Sequence, residues 1–286
     1  MQNLFNYTTL STRLEKTTRT LFVTLNRPDW KNAFHLEMLF ELESIFAWCT
    51  SRVEINSIII DSTTNEFSSG LDLEQLPSLS AKQLDKINSK LQKIIFSMMQ
   101  LPQTIIVDLG DGSQTLASEF ALGADIRLCS KNAQISFNHC LYGLIPSAGG
   151  MSTLSSLVSP SYARSWVLSG NNISYEQLIH SGFITELYEN DQRFAVINKY
   201  LQQIAKLAPV QRIQSKLGLF ESLRSQIESG IVMDKKIAKA SMVSEDWRSK
   251  KPESKDEQFM PAKSMAYAVK LSLIKTEENS SSKLEH

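Results

Sequence analysis

The strongest constraint on this chain is an alternation in its first half: short β-branched apolar runs are separated by segments of helical period. Leu21 to Leu25 (LFVTL), Ser57 to Asp61 (SIIID) and Thr104 to Leu109 (TIIVDL) are short and apolar, as buried strands are. Asn26-Arg27-Pro28-Asp29 ends the first run, because proline cannot donate to a ladder. Leu36 to Cys49 puts Leu39, Leu42, Ile45 and Phe46 on one side of a helix. Ala81 to Leu101 repeats Leu84, Ile87, Leu91, Ile94 and Met98 at three-to-four spacing. A helix through Leu116 to Leu122 and short strands at Ile126 to Cys129 and Gln134 to Phe137 continue the pattern. Strands alternating with helices imply an α/β sheet joined by crossovers.

From Ser161 onward helical patterns dominate. Gln211 to Ala240 reads as two helices broken near Gly230. Ser249 to Asp256 (SKKPESKD) reads as a linker, Ala262 to Ile274 as a last helix and Glu277 to Ser282 as a fraying end. The expected organisation is a core over 1–200, a helical region over 201–275 and a tail over 276–286. Leu284-Glu285-His286 looks like a cloning scar.

Charge narrows the function. Lys+Arg and Asp+Glu both number 30, so the formal net charge is zero. Such a chain lacks the basic excess from which nucleic-acid binding draws its counterion release, so no nucleic-acid partner is expected. No apolar run approaches the roughly 18 residues of a membrane span, so no membrane partner is expected either. The N-terminal segment lacks a charged head before an apolar stretch, and the three cysteines (Cys49, Cys129, Cys140) form no CxxC pair. A reducing cytoplasmic compartment is the expectation. The histidines show no HxxxH spacing, and no metal is expected. Gly110 and Gly112 begin a dinucleotide fingerprint that fails at Thr115. Ser147 would need glycine at position 145 to be a nucleophile elbow, and that position is Ile145.

Four segments in order carry a resemblance. They are Leu25-Asn26-Arg27-Pro28 with Asn32-Ala33-Phe34; Phe67-Ser68-Ser69-Gly70-Leu71-Asp72-Leu73; Ala124-Asp125-Ile126-Arg127-Leu128-Cys129 leading to Gly143-Leu144-Ile145-Pro146-Ser147-Ala148-Gly149-Gly150; and Ile173-Ser174-Tyr175-Glu176-Gln177 with Ser181-Gly182-Phe183-Ile184. Together they resemble the crotonase (enoyl-CoA hydratase/isomerase) superfamily. The resemblance implies an α/β fold, a spiral of ββα units, with a C-terminal helical trimerisation region and a homotrimer or a hexamer. It also implies an acyl-CoA thioester ligand, coenzyme A being part of the substrate and no separate cofactor being needed.

Two backbone N–H groups of such a site stabilise the enolate-like charge on the thioester oxygen. By position they fall on Ser69 and Leu116. Leu116 lies within Thr115-Leu116-Ala117, where the family carries a glycine triplet. Hydratases of the family use two glutamates. Glu119 matches the first, and its apolar flanks Phe120, Ala121 and Leu122 suggest partial burial. The second position is His139, which can also give or take a proton. An unconventional acid/base pair and a plugged, catalytically impaired CoA-thioester binder or scaffold are both open. One remaining carboxylate favours isomerase-like chemistry over hydration. Neighbouring Cys140 reads as a small buried apolar residue. The CoA contacts implied are Gly70, Leu71, Asp72 and Leu73 for adenine, and Trp30 and Lys31 for phosphates; Lys31 reads equally well as an ordinary exposed lysine. Phe259 and Lys263 are the candidates for the family's C-terminal residues that reach a neighbouring subunit's ligand, although the tail after Trp247 departs from the family pattern.

Overall fold

The computed structural model describes residues 4–248. Eight strands form two sheets among these residues. The large sheet contains β1 (Leu10–Glu15), β2 (Thr20–Leu25), β3 (Ser57–Ser62), β4 (Thr104–Asp108), β6 (Ile126–Ser130) and β8 (Glu186–Tyr188), in that spatial order. β1 runs antiparallel to β2, and the remaining neighbours are parallel. The small sheet pairs β5 (Gly112–Gln114) with β7 (Gln134–Ser136) in parallel. Ser68 bridges to Ser113 beside it.

The elements come in ββα turns. β1 and β2 lead to α1 (Leu36–Cys49), and β3 with the Ser68 bridge leads to α2 (Ala81–Gln100). β4 and β5 lead to α3 (Leu116–Phe120), and β6 and β7 lead to α4 (Ser152–Leu157). The predicted strands and helices of the first half are present within a few residues of their expected limits. β1 is an addition. Its LSTRLE sequence buries Leu10 and Thr12 but leaves Leu14 exposed, so it lacks an apolar run. It gains its ladder from β2.

One face of the large sheet packs on α1 and α2, with Leu21, Val23, Leu25, Ile58, Ile60, Ile105 and Val107 buried in the main core. α2 is fixed at its start by a capping box: Gln83 N–H donates to Ser80 Oγ, while Ser80 N–H donates to Gln83 Oε1 at 2.9 Å. The opposite face buries Ile59, Ile106 and Leu128 against Ile197, Leu201 and Ile204 of α7 (Arg193–Ala205). α5 (Pro160–Ser169) and α6 (Tyr175–His180) fall between α4 and α7 in the chain.

The expected break near Gly230 is absent. α8 runs unbroken from Pro209 to Ser241. Glycine inside a helix costs about 1 kcal/mol relative to alanine. Here a Cβ on Gly230 would lie 2.3 Å from Ser152 Cβ, so the glycine lets α8 meet the start of α4. The linker, the last helix, the fraying end, Phe259 and Lys263 lie outside the described residues. No helix among the described residues is long and apolar enough to cross a membrane.

Candidate active site

The chain turns sharply before α3. Thr115 takes φ 46° and ψ −121°, a backbone state that costs a non-glycine residue about 1–3 kcal/mol. Its Oγ1 accepts the Leu71 N–H at 2.9 Å and donates to the Ser69 carbonyl at 3.3 Å. Gly70 lies against it with φ 77°, where a Cβ would fall 2.0 Å from the Gln114 carbonyl oxygen and 2.9 Å from Leu116 N. Only glycine permits that approach. The Ser69–Leu71 turn and the Leu116 amide are therefore side by side. The triplet's positive φ falls on Thr115, leaving Leu116 as an ordinary helical residue. Leu116 opens α3, so its N–H has no acceptor within the helix.

The Ser69 amide differs. Its N–H donates to the Lys31 carbonyl at 3.0 Å. The position expected for a substrate oxygen is thus taken by the chain's own carbonyl. Lys31 and its neighbour Asn32 both have positive φ, 49° and 52°. Asn32 is fully buried, accepts the Arg27 N–H at 2.6 Å and donates to Ser62 Oγ at 2.8 Å. These bonds hold the turn in its left-handed form. Trp30 is 48% exposed, with the Arg27 guanidinium 4.6 Å from its ring centroid. Arg27 also pairs with Asp72 at 3.4 Å. Trp30, Lys31 and Leu73 are exposed, Asp72 is half-buried, and Gly70 and Leu71 are covered. The suggested CoA contacts thus form an exposed rim around buried backbone.

Glu119 sits on α3 one turn beyond Leu116 and is fully buried, deeper than its apolar flanks suggested. Its Oε1 accepts N–H groups from Ala148 at 2.7 Å and Gly150 at 2.8 Å. Its Oε2 lies 2.9 Å from His139 Nε2. His139 is 1% exposed, and its Nδ1 is buried without a hydrogen-bond partner. His139 and Cys140 occupy a 3₁₀ turn (His139–Tyr142). Cys140 is consequently exposed, which corrects the expectation of a buried residue.

The sequence motifs did not assign roles to Ala148 and Gly150. Both lie in the quoted Gly143–Gly150 segment, but main-chain donors leave no side-chain signature. Two charged residues of the neighbouring motif hold the frame. Asp125 accepts the Ile105 N–H and the Lys216 ammonium, each at 2.7 Å. Buried Arg127 donates to the carbonyls of Ala124 and Phe183, tying the turn after α3 to the segment before β8.

A family model for enoyl-CoA hydratase/isomerase matches residues 15–258. The 2,3-dehydroadipyl-CoA hydratase of Escherichia coli (strain K12) is 23% identical over 229 residues, covering 80% of this chain and 89% of that protein. A short-chain-enoyl-CoA hydratase of Clostridium acetobutylicum is 22% identical over 222 residues, covering 77% and 85%. Among solved structures, an enoyl-CoA hydratase from Bacillus halodurans superposes with a TM-score of 0.78 at 19% identity, covering 84% of this chain and 98% of its own. An enoyl-CoA hydratase/isomerase from Mycobacterium paratuberculosis gives 0.77 at 21% identity, covering 85% and 98%. The fold is therefore the crotonase fold, and the chain belongs to the enoyl-CoA hydratase/isomerase family.

Proposed function

We propose that the protein moves a proton along the acyl chain of a coenzyme A thioester, using Glu119 and His139 as one dyad and the amides of Ser69 and Leu116 as donors to the thioester oxygen. The observation that carries this reading is the saturation of Glu119. With Oε1 accepting from Ala148 and Gly150, Oε2 is the acceptor left for His139 Nε2–H. That tautomer leaves the Nδ1 lone pair free, and Nδ1 is the dyad atom with no protein partner. Glu119 orients the ring, and His139 carries the proton.

The step balances with one base. Nδ1 takes a proton from the carbon between the thioester and a β,γ double bond. The electron pair moves into the conjugated enolate, and its charge gathers on the thioester oxygen. The two amides stabilise that charge; removing one donor of such a pair typically costs about 10²–10³ in rate. The same proton returns to the γ carbon, and the double bond moves into conjugation. Hydration needs a second group to place water. A dyad with one unpartnered nitrogen favours double-bond migration.

Substrate must exchange its thioester oxygen for the Lys31 carbonyl at Ser69 N–H. The Lys31–Asn32 turn is the piece that gives way, and Trp30, Lys31 and the Gly70–Leu73 segment receive the CoA. A trimer or hexamer in the cytoplasm accompanies this reading. Exposed Leu207, Leu219 and Leu223 on and beside α8 support an apolar contact face. Turnover tests the function. Vinylacetyl-CoA gains conjugated-enoyl absorbance with the protein and fails to do so with His139→Ala. The reading is wrong if neither vinylacetyl-CoA nor crotonyl-CoA changes and calorimetry detects no binding of either.

A further inference from the structure

A chain of contacts leaves the dyad and ends on the C-terminal helix. Gly150 N–H holds Glu119 Oε1 at 2.8 Å. Two residues later Ser152 opens α4; its Oγ donates to Asp234 Oδ2 at 2.7 Å, and its N–H reaches the same oxygen at 3.4 Å. Asp234 lies on α8 one turn beyond Gly230, which itself packs against Ser152. Gln92 of α2 adds a second tie, donating from Nε2 to the carbonyls of Ser147 at 3.3 Å and Ile231 at 3.4 Å. Both ends of the 147–152 segment that clamps Glu119 are therefore bound to α8 or to its partner helix.

Asp234 is an expensive choice for packing alone. It is 2% exposed. Burial is the main cause that raises its pKa to about 6, and the nearby Glu119 carboxylate adds to the shift. A buried carboxylate costs free energy unless hydrogen bonds compensate it. Two of them fix Ser152, next to the clamp.

We propose that Asp234 is a positioning residue for proton transfer: through Ser152 it sets the Ala148 and Gly150 amides on Glu119 Oε1, and thereby the contact between Glu119 and His139. This inference rests on the reading of Glu119 and His139 as the acid/base dyad. Asp234 itself touches no substrate. Its effect reaches the chemistry through the geometry of one carboxylate.

The test uses the full chain, labelled with ¹⁵N histidine, as wild type, Asp234→Ala, Asp234→Asn and Ser152→Ala. Vinylacetyl-CoA turnover and the imidazole resonances of His139 are read together. In Asp234→Ala and Ser152→Ala, kcat falls about 10–100-fold with KM nearly unchanged, as expected for a misplaced reacting group. The His139 Nε2 resonance shifts in the same variants. Asp234→Asn, whose amide oxygen still accepts from Ser152, recovers most of the rate and the wild-type resonance. Unchanged kcat and resonances in both Asp234→Ala and Ser152→Ala overturn the proposal. Equal losses in Asp234→Ala and Asp234→Asn that follow melting temperature also overturn it, since they mark a purely structural role. If the wild type turns over no thioester, the proposed function fails, while the imidazole resonances still decide whether Asp234 positions the dyad.

Discussion

The two halves of the site are built on opposite terms. On the proposed amide side, Ser69 and Leu116 offer main-chain N–H groups, and the Ser69 amide already holds an acceptor, the Lys31 carbonyl. On the proposed proton side, Glu119 and His139 meet through side chains, and every side-chain polar atom of the pair has a partner except Nδ1. The amide side is set by backbone shape, by Gly70 and Thr115 at positive φ. The proton side is set by a network that reaches as far as α8. The difference teaches where each half can be broken. A change of shape damages the first, and a change of hydrogen-bond sense damages the second.

The largest effect is expected from Glu119→Gln. Its amide oxygen can still accept from Ala148 and Gly150, so its NH₂ then points at His139 Nε2. That forces the proton onto Nδ1 and removes the base. A wrong-tautomer substitution of this kind lowers kcat by about 10⁴ in a serine protease triad. A loss between about 10² and 10⁴ in vinylacetyl-CoA turnover is predicted here. A loss below ten-fold would break the contrast between the two halves.

Gly70→Ala tests the amide side by shape. A Cβ there meets the Gln114 carbonyl at 2.0 Å with φ at 77°. Strain and clash together should cost about 3 kcal/mol in denaturant unfolding. Asn32→Ala is milder. It removes the acceptor for Arg27 N–H and the donor to Ser62 from a residue at positive φ, a loss of about 1–3 kcal/mol. Because Asn32 holds the turn that supplies the Lys31 carbonyl, thioester KM should change more than kcat.

Asp234 sharpens the proton side through pH. Burial raises it from the ordinary 3.8 to about 6. Between those values the folded chain keeps a proton that the unfolded chain has released. This contribution is therefore fully present below the unfolded value and is lost as pH rises through the folded one. The slope is at most about 1.4 kcal/mol per pH unit. Asp61, also raised to about 6 chiefly by burial, acts with the same sign. Asp234→Asn removes its own share, so unfolding curves should show the variant gaining on the wild type as pH rises across that window. The smallest effect is predicted for Cys140→Ser. Cys140 is exposed, whereas Cys49 and Cys129 are buried; burial pushes all three thiols up, Cys49 to about 12, so access rather than acidity sets Cys140 apart. A thiol reagent should label Cys140 first in the native protein, and turnover should stay within about two-fold because the residue lies off the dyad's polar network.

The sequence made these regions legible to different degrees. The strands at Leu21, Ser57 and Thr104 could be read because each is a buried apolar run, and α1 and α2 because their apolar period is clean. β1 was hidden because its buried positions include Thr12 and its exposed ones Leu14. Gly230 looked like a breaker because local propensity says nothing of the Ser152 side chain it must clear. Glu119 and His139 could be found from motif spacing, but not their 2.9 Å contact. The Ala148 and Gly150 clamp and the Ser69–Lys31 bond are main-chain interactions, specified by fold rather than by residue type.

The most direct test of the central claim is proton exchange at the α carbon. Butyryl-CoA incubated with the protein in deuterium oxide has no double bond to move, so solvent exchange reports the base and the amides alone. The account predicts deuterium at the α carbon with the wild type and none above background with His139→Ala. Exchange that persists at the wild-type rate in His139→Ala would contradict it.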